Sequence, residues 1–317
     1  MKILFCTYTF SDYGLDTIYD GLCKVYGAEN VLEYPNKPSL HGERRNSYLW
    51  YPHFFNYQIT KTDKEKIDML RNNKFDIILV GCRRNHDFRT TREKKGNSTQ
   101  QEMFNILKET NTPLFLIDQS DSDKCNIELI DELKAKLYFK REYYKDRKYD
   151  KRIVPFNFSY SDIPIDTKKT NSIFWAGKRY KHKLYNREPY IRACEETIGK
   201  KFYNAYKQSK YSEEMANSRI GLNLKGVGND TVRYYEIPAH KALLFSQKLD
   251  IVIENDFKDG ETAIFFRNID EMKEKLKYCL KNKDYVDRIR NAGYEHFKKY
   301  HTSKVRAKQL IDYIYGE

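Results

Sequence analysis

Ser218-Arg219-Ile220-Gly221-Leu222-Asn223-Leu224-Lys225-Gly226-Val227-Gly228-Asn229-Asp230-Thr231-Val232-Arg233-Tyr234-Tyr235-Glu236-Ile237-Pro238-Ala239 is the stretch on which the reading of this chain turns. Residues 220–224 make a buried strand, Gly226 and Gly228 a loop, and a helix follows. Asn229 or Asp230 is the expected cap, since a short side-chain oxygen satisfies the open amides of a first turn. Such amides favour an anion, above all a phosphate. Arg233 adds a fixed positive charge within that turn, and Glu236 shares its helical face three residues on. The segment therefore offers a phosphate seat beside a carboxylate that can accept hydrogen bonds from a sugar diol. A nucleotide diphosphate presents both features together. An ordinary strand–loop–helix turn with a surface Arg–Glu pair fits the local pattern equally well, so the neighbouring elements have to decide.

Upstream, residues 172–176 read as a strand ending in Gly177-Lys178-Arg179, residues 187–197 as a helix, 201–205 as a strand and 212–217 as a helix. Downstream come short strands at 241–246, 251–253 and 263–266, then helices at 269–280, 285–299 and 303–315. The amino-terminal half has its own β-α-β opening: strand 2–8, helix 14–25 and strand 31–34, the pattern of a parallel α/β sheet. Its first turn, 9–13, holds no GxGxxG, which disfavours a dinucleotide site there. Helix 62–71, the continuous apolar strand 75–80, helix 100–108 and strands at 113–117, 137–142 and 153–156 complete this half. Residues 38–57 form a long aromatic loop, expected to be a flap, an acceptor wall or satellite core.

The 317 residues carry a formal net charge of +13 and a pI of about 9.2. That excess points to an acidic partner, or to a composition in which solvated lysines coat every helix. Six cysteines are scattered without a CxxC pair, as expected of reduced packing residues in a cytoplasmic protein. The seven histidines have no ligand spacing, so a protein-held metal is not expected. No apolar run reaches membrane-span length, and the first ten residues meet Asp12 too soon for a signal peptide.

The expected organisation is an amino-terminal α/β domain at 1–160, a linker at 161–170 and a second α/β domain at 171–300. A closing helix at 301–317 follows, for which packing back on the first domain is one expectation. Two doubly wound Rossmann-like domains facing a cleft, with a helical carboxyl end, resemble the GT-B glycosyltransferase fold. In sequence the chain resembles the group 1 glycosyltransferases of the spore-maturation CgeB-like kind. Arg233-Tyr234-Tyr235-Glu236-Ile237-Pro238-Ala239 with Ala242-Leu243-Leu244-Phe245 is similar to the family's Arg-x-x-Glu segment. The helices from Ile269, with Ala292-Gly293-Tyr294, His301-Thr302 and Arg306, resemble its closing helices, and Tyr138 to Glu142 with Pro155 to Phe158 the end of its first domain. His240-Lys241 departs from the family, where a small residue and glycine are common.

The resemblance implies a donor nucleotide-diphosphate sugar, a UDP-sugar by expectation, with no permanent cofactor and no metal. Growing charge on the leaving diphosphate would fall to Arg233, the helix start at Val232, Lys178, Arg179 and Lys225, with Asn223 orienting a phosphate or base. Glu236 would hold the ribose hydroxyls. If the reaction inverts, a base for the acceptor hydroxyl is expected from the first domain, among Asp16, His86, Asp87, Asp118 and Asp121, with Asp87 or His86 ahead of Asp16 and then Asp118; Asp12 and Asp16 equally suit a cap of the first helix. Arg83, Arg84, Arg89, Arg92, Lys94 and Lys95, with Arg44 and Arg45 in the aromatic loop, make a basic stretch that fits a phosphate backbone. Hydroxymethylated DNA is thus one expected acceptor; an anionic glycan, a lipid-linked sugar at a membrane surface or a protein is another. A sugar-nucleotide epimerase and a non-catalytic nucleic-acid-binding protein are the alternatives from other classes.

Overall fold

The structure is a computed structural model and describes residues 1–42, 55–83, 86–89, 98–162, 168–179, 181–182, 185–203, 206 and 208–316. The chain divides into two compact units. One comprises Met1–Ser159, Val252–Glu254 and Ser303–Glu317, the other Tyr160–Ile251 and Asn255–Thr302.

In the first unit the order is β1 (Ile3–Cys6), α1 (Tyr13–Tyr26), β2 (Val31–Tyr34), α2 (Asp63–Arg71), β3 (Ile77–Arg83), β4 (His86–Asp87), α3 (Ser98–Glu109), β5 (Leu114–Asp118), α4 (Ile127–Glu132), β6 (Tyr138–Lys140) and β7 (Ile153–Pro155). The strands align as β2-β1-β3-β5-β6-β7, all parallel, with β4 turned back antiparallel on β3. Strand alternation explains the double winding. Ile3, Phe5, Ile77 and Leu79 point to one face and pack with Leu15, Ile18 and Leu22 of α1. Leu4, Cys6, Ile78 and Val80 point to the other and meet Ile67, Leu70, Phe104 and Leu129. Burying each such side chain contributes roughly 1.5–3 kcal/mol. Asp12 caps α1 by accepting from the Leu15 amide at 3.1 Å. Thr62 and Glu65 form a reciprocal capping box on α2.

The second unit contains β8 (Asn171–Phe174), β9 (Lys181–His182), β10 (Tyr185–Asn186), α5 (Glu188–Ile198), α6 (Gln208–Asn217), β11 (Ser218–Asn223), α7 (Val232–Ala239), β12 (Leu243–Gln247), β13 (Ile264–Phe266), α8 (Ile269–Lys281) and α9 (Lys283–Tyr300). A parallel sheet runs β13-β12-β11-β8. Ile220 and Leu222 face Ile191, Met272, Leu276 and Ile289. Gly221 faces the other way, where a Cβ would lie 2.6 Å from Ile237. The missing side chain is what lets α7 settle onto β11. Residues 201–203 are not a strand as the sequence reading expects, because the Phe202 amide donates to Glu195 Oε1 at 2.9 Å instead of to a ladder. Residues 251–253 likewise form no strand; the Val252 amide bonds the Tyr143 carbonyl at 2.8 Å.

The last helix, α10 (Ser303–Tyr315), belongs to the first unit. It lies along α1, with Ala307, Leu310 and Ile311 completing that core. The Ser303 hydroxyl donates to Asp20 Oδ2 at 2.6 Å. Gly21 sits directly under the Ser303 carbonyl, at a point where any Cβ would overlap it.

Candidate functional site

The segment 218–239 folds as strand, loop and helix, and its cap differs from the expected one. Thr231, not Asn229 or Asp230, is the N-cap of α7. Its hydroxyl donates to Asn223 Oδ1 at 2.7 Å, so Thr231 itself makes no capping bond to the first turn. Asn223 is fully buried and donates through Nδ2 to Ser246 Oγ at 2.9 Å. It thus ties the end of β11 to β12 and to the start of α7. Val232 is the first helical residue.

Arg233 projects from that first turn to the end of β8. Its Nη2 donates to the Ala176 carbonyl at 2.6 Å and reaches the Tyr211 hydroxyl at 3.4 Å. Tyr211 in turn donates to Glu236 Oε2 at 2.9 Å, and Tyr160 donates to Glu236 Oε1 at 3.1 Å. Guanidinium, phenol and carboxylate therefore form one chain of hydrogen bonds. Glu236 is only 4% exposed. Burial pushes its carboxyl above the ordinary range, against the opposing pull of Arg233 and the two tyrosines. An ionised carboxylate has about four lone-pair positions, so two tyrosine donors leave room for a diol. Burial also raises the Tyr211 phenol.

The turn after α7 holds the departure noted in the sequence. His240 Nδ1 lies 2.8 Å from the Glu236 carbonyl, and Lys241 adopts the left-handed conformation at φ 54°. Lysine thus performs the turn for which glycine is the relaxed residue.

The other expected donor-side cations are spent differently. Lys178 is exposed just beyond β8. Arg179 is forked between Glu188 and Glu195, each at 2.8 Å, which leaves it with little net field. Lys225 pairs with Asp250 at 2.6 Å, and its carbonyl accepts from Arg187 Nε at 2.7 Å. Arg233, Glu236, Val232 and Asn223 are brought together; Arg179 and Lys225 are committed to carboxylates.

In the first unit, both Asp87 oxygens accept from the Arg89 guanidinium, at 2.9 and 2.6 Å. Asp16 is fully buried against the Lys37 ammonium. Asp118 is fully buried between Lys140 and Tyr138, each at 2.6 Å. Asp121 pairs with Arg141. His86 opens β4, opposite Arg83. Arg83 bonds Asp12 at 2.9 Å. Arg44, Arg45, Arg84, Arg92, Lys94 and Lys95 lie outside the described residues, as do the loop aromatics 48–54. Among the described residues no three His, Cys, Asp or Glu side chains gather as a metal site, and no helix is long and apolar enough to cross a membrane.

Tyr160 and Tyr211 are functional candidates that the sequence does not single out. They sit 76 and 25 positions from Glu236, in a chain with 27 tyrosines, and no local spacing marks them.

Residues 170–312 match a family model described as glycosyl transferase-like, and this span contains α7 with Arg233 and Glu236. No curated protein matches the chain by sequence. Among solved structures the chain is similar to Anabaena Alr3699/HepE, solved in complex with UDP and glucose, at a TM-score of 0.61 and 9% identity over 100% of both chains. A glycosyltransferase from Rickettsia africae ESF-5 superposes with a TM-score of 0.62 and 11% identity, over 98% of this chain and 97% of that one. An alpha-glucosyltransferase in complex with UDP-glucose and DNA containing an abasic site gives 0.57 and 13% over 99% of each. The chain has the GT-B fold of these glycosyltransferases, and its second unit carries a glycosyltransferase-like domain.

Proposed function

We propose that the protein is a glycosyltransferase of the CgeB-like kind, moving a sugar from a UDP-sugar to an acceptor hydroxyl. The linkage Arg233–Tyr211–Glu236 at the first turns of α7 carries this reading. It joins a cation and first-turn amides, suited to a diphosphate, to a carboxylate with capacity for the ribose hydroxyls. As the bond to the sugar breaks, charge grows on the departing diphosphate. In this reading Arg233, the α7 amides and the exposed Lys178, all of the second unit, stabilise it without a metal. Loss of one such donor costs about 3–4 kcal/mol of transition-state stabilisation.

The base for the acceptor hydroxyl is proposed among His86, Asp87 and Asp16. Of these, the two aspartates are already held by Arg89 and Lys37, and His86 is the first to substitute. A DNA acceptor draws support from the alpha-glucosyltransferase complexes. In the described part of the basic stretch, however, Arg83 and Arg89 are engaged by Asp12 and Asp87.

Incubation with a panel of nucleotide sugars, scoring free nucleotide diphosphate, tests the reading. Arg233→Ala and Glu236→Ala should each lose most donor affinity by calorimetry while the fold persists, and chelators should leave turnover intact. Donor binding unchanged in both variants would refute the site; isomerised donor without transfer would select an epimerase.

A further inference from the structure

The amino end of the second unit's sheet holds a cavity that the reading above leaves unused. Its volume is about 200 Å³, and Lys169, Thr170, Ser172, Arg219, Cys279 and Lys283 are among its walls. Parallel pairing explains the gathering. Ser218 of β11 is level with Asn171 of β8, so Arg219, Thr170 and Ser172 meet at the edge where both strands begin. The end of α8 brings Cys279, and Lys283 is the first residue of α9. Val232 and Arg233 lie beyond the other end of β11, and a strand of six residues puts about 17 Å between its ends.

The walls are rich in donors and short of negative charge. Lys169 Nζ gives two of its three hydrogens to the Ala216 and His240 carbonyls, which leaves one open. Arg219 reaches Asp287 through Nη1. Among the described residues nothing takes its Nε, its Nη2 or the Lys283 ammonium. Arg290 shares the Asp287 carboxylate at 2.6 Å, and Lys241 lies over the Tyr294 ring. Facing these cations are Asp287, already divided between two arginines, and Asp284, exposed next to Lys283. Burial, then Arg290, Lys241 and Arg219, lower the Lys169 ammonium to about 7 against the pull of Asp287, as befits a cation held among cations. The Cys279 thiol, pushed up to about 11 by burial, stays protonated and adds no charge.

We propose that this cavity binds a small soluble oxyanion of the phosphate class, inorganic phosphate or a phosphate monoester. The proposal does not depend on the transferase reading. Phosphate oxygens only accept, which suits walls that present N–H groups and the Thr170 and Ser172 hydroxyls. Nε and Nη2 form one edge of the Arg219 guanidinium, the fork that takes two phosphate oxygens side by side. A dianion supplies two negative charges where a carboxylate supplies one, and a neutral sugar would leave the cations uncompensated.

Thermal unfolding of the full-length chain at pH 7 is followed as inorganic phosphate replaces chloride at constant ionic strength. Tm should rise with phosphate, since a ligand of the native state stabilises it by mass action. The apparent affinity should fall about tenfold in Lys169→Met, which removes a charge-assisted hydrogen bond. It should fall about threefold in Lys283→Ala, where the side chain is exposed and folding is spared. Arg233→Ala should keep the whole response, which separates this cavity from the start of α7. No rise with phosphate, wild-type affinity in both lysine variants, or loss in Arg233→Ala alone would overturn the proposal. Vesicles containing phosphatidic acid form the second arm, and their binding should be equal in wild type and Lys169→Met. Vesicle binding that needs Lys169, with no response to free phosphate, would assign the cavity to a lipid headgroup and overturn the soluble ligand.

Discussion

The Tyr211 hydroxyl stands 2.9 Å from Glu236 Oε2, donating into a carboxylate that is almost wholly out of water. Replacement by phenylalanine removes the donor and keeps the ring against Phe174, 5.2 Å away. Tyr211→Phe should therefore lose about 1–3 kcal/mol in chemical denaturation, the range for a hydrogen bond to a buried charged group. It should also weaken nucleotide binding, because Arg233 loses its link to the carboxylate. Wild-type stability together with wild-type UDP affinity would show that the phenol is idle.

Glu236 sets a pH dependence whose sign follows from its environment. Burial raises its folded pKa above the unfolded value, so the folded state holds the proton more tightly. Its contribution to stability is full below the ordinary glutamate range and is lost as pH rises through the raised value. Donor affinity runs the other way, since the ionised form accepts the hydroxyls, and should fall on acidification across the same window. Glu236→Gln should flatten the stability profile there. Urea midpoints measured from pH 4 to pH 8 in both proteins decide it.

Lys169 gives a second window. Its Nζ donates to the carbonyls of Ala216 and His240, at 2.5 and 2.9 Å, at the ends of α6 and α7. Burial first, then Arg290, Lys241 and Arg219, against the opposing Asp287, pull it down to about 7. Between there and the ordinary lysine value the unfolded chain binds more protons than the folded one, so stability should rise with pH. Lys169→Met should remove that slope in thermal melts between pH 7 and pH 9. A slope that survives the substitution belongs to another group.

Gly21→Ala tests the seat of α10. A methyl there meets the Ser303 carbonyl, a backbone atom that moves only if the helix does. Overpacking of this kind costs about 1–3 kcal/mol, visible as a lower urea midpoint. Ala at Gly260, where nothing lies within 4 Å but φ is 76°, is a comparison that carries backbone strain without the clash.

Periodicity located the longer helices and strands, because the hydrophobic faces of α1, α8 and β3 are long and regular; α4 and the two-residue strands β4, β9 and β10 are too short to show a period and escape it. It erred where a side chain took over a backbone partner, as Glu195 does at Phe202, and it misplaced the cap of α7, which is Thr231, its hydroxyl turned to Asn223. The pair Arg233 and Glu236 was legible, since three-residue spacing on one helix fixes a shared face. Tyr160 and Tyr211 were not, because only tertiary folding brings their hydroxyls to Glu236. Arg179 and Lys225 looked like open cations in sequence, and their carboxylate partners come from elsewhere in the fold.

The return of α10 to α1 orders events on the ribosome. The first 159 residues emerge early, yet the side of α1 at Asp20 and Gly21, on which α10 lies, stays uncovered until residues 303–315 have been synthesised. A nascent chain stalled before Ser303 should hold an open hydrophobic seam in its oldest portion, and chaperone occupancy of that seam should end when the final helix clears the exit tunnel.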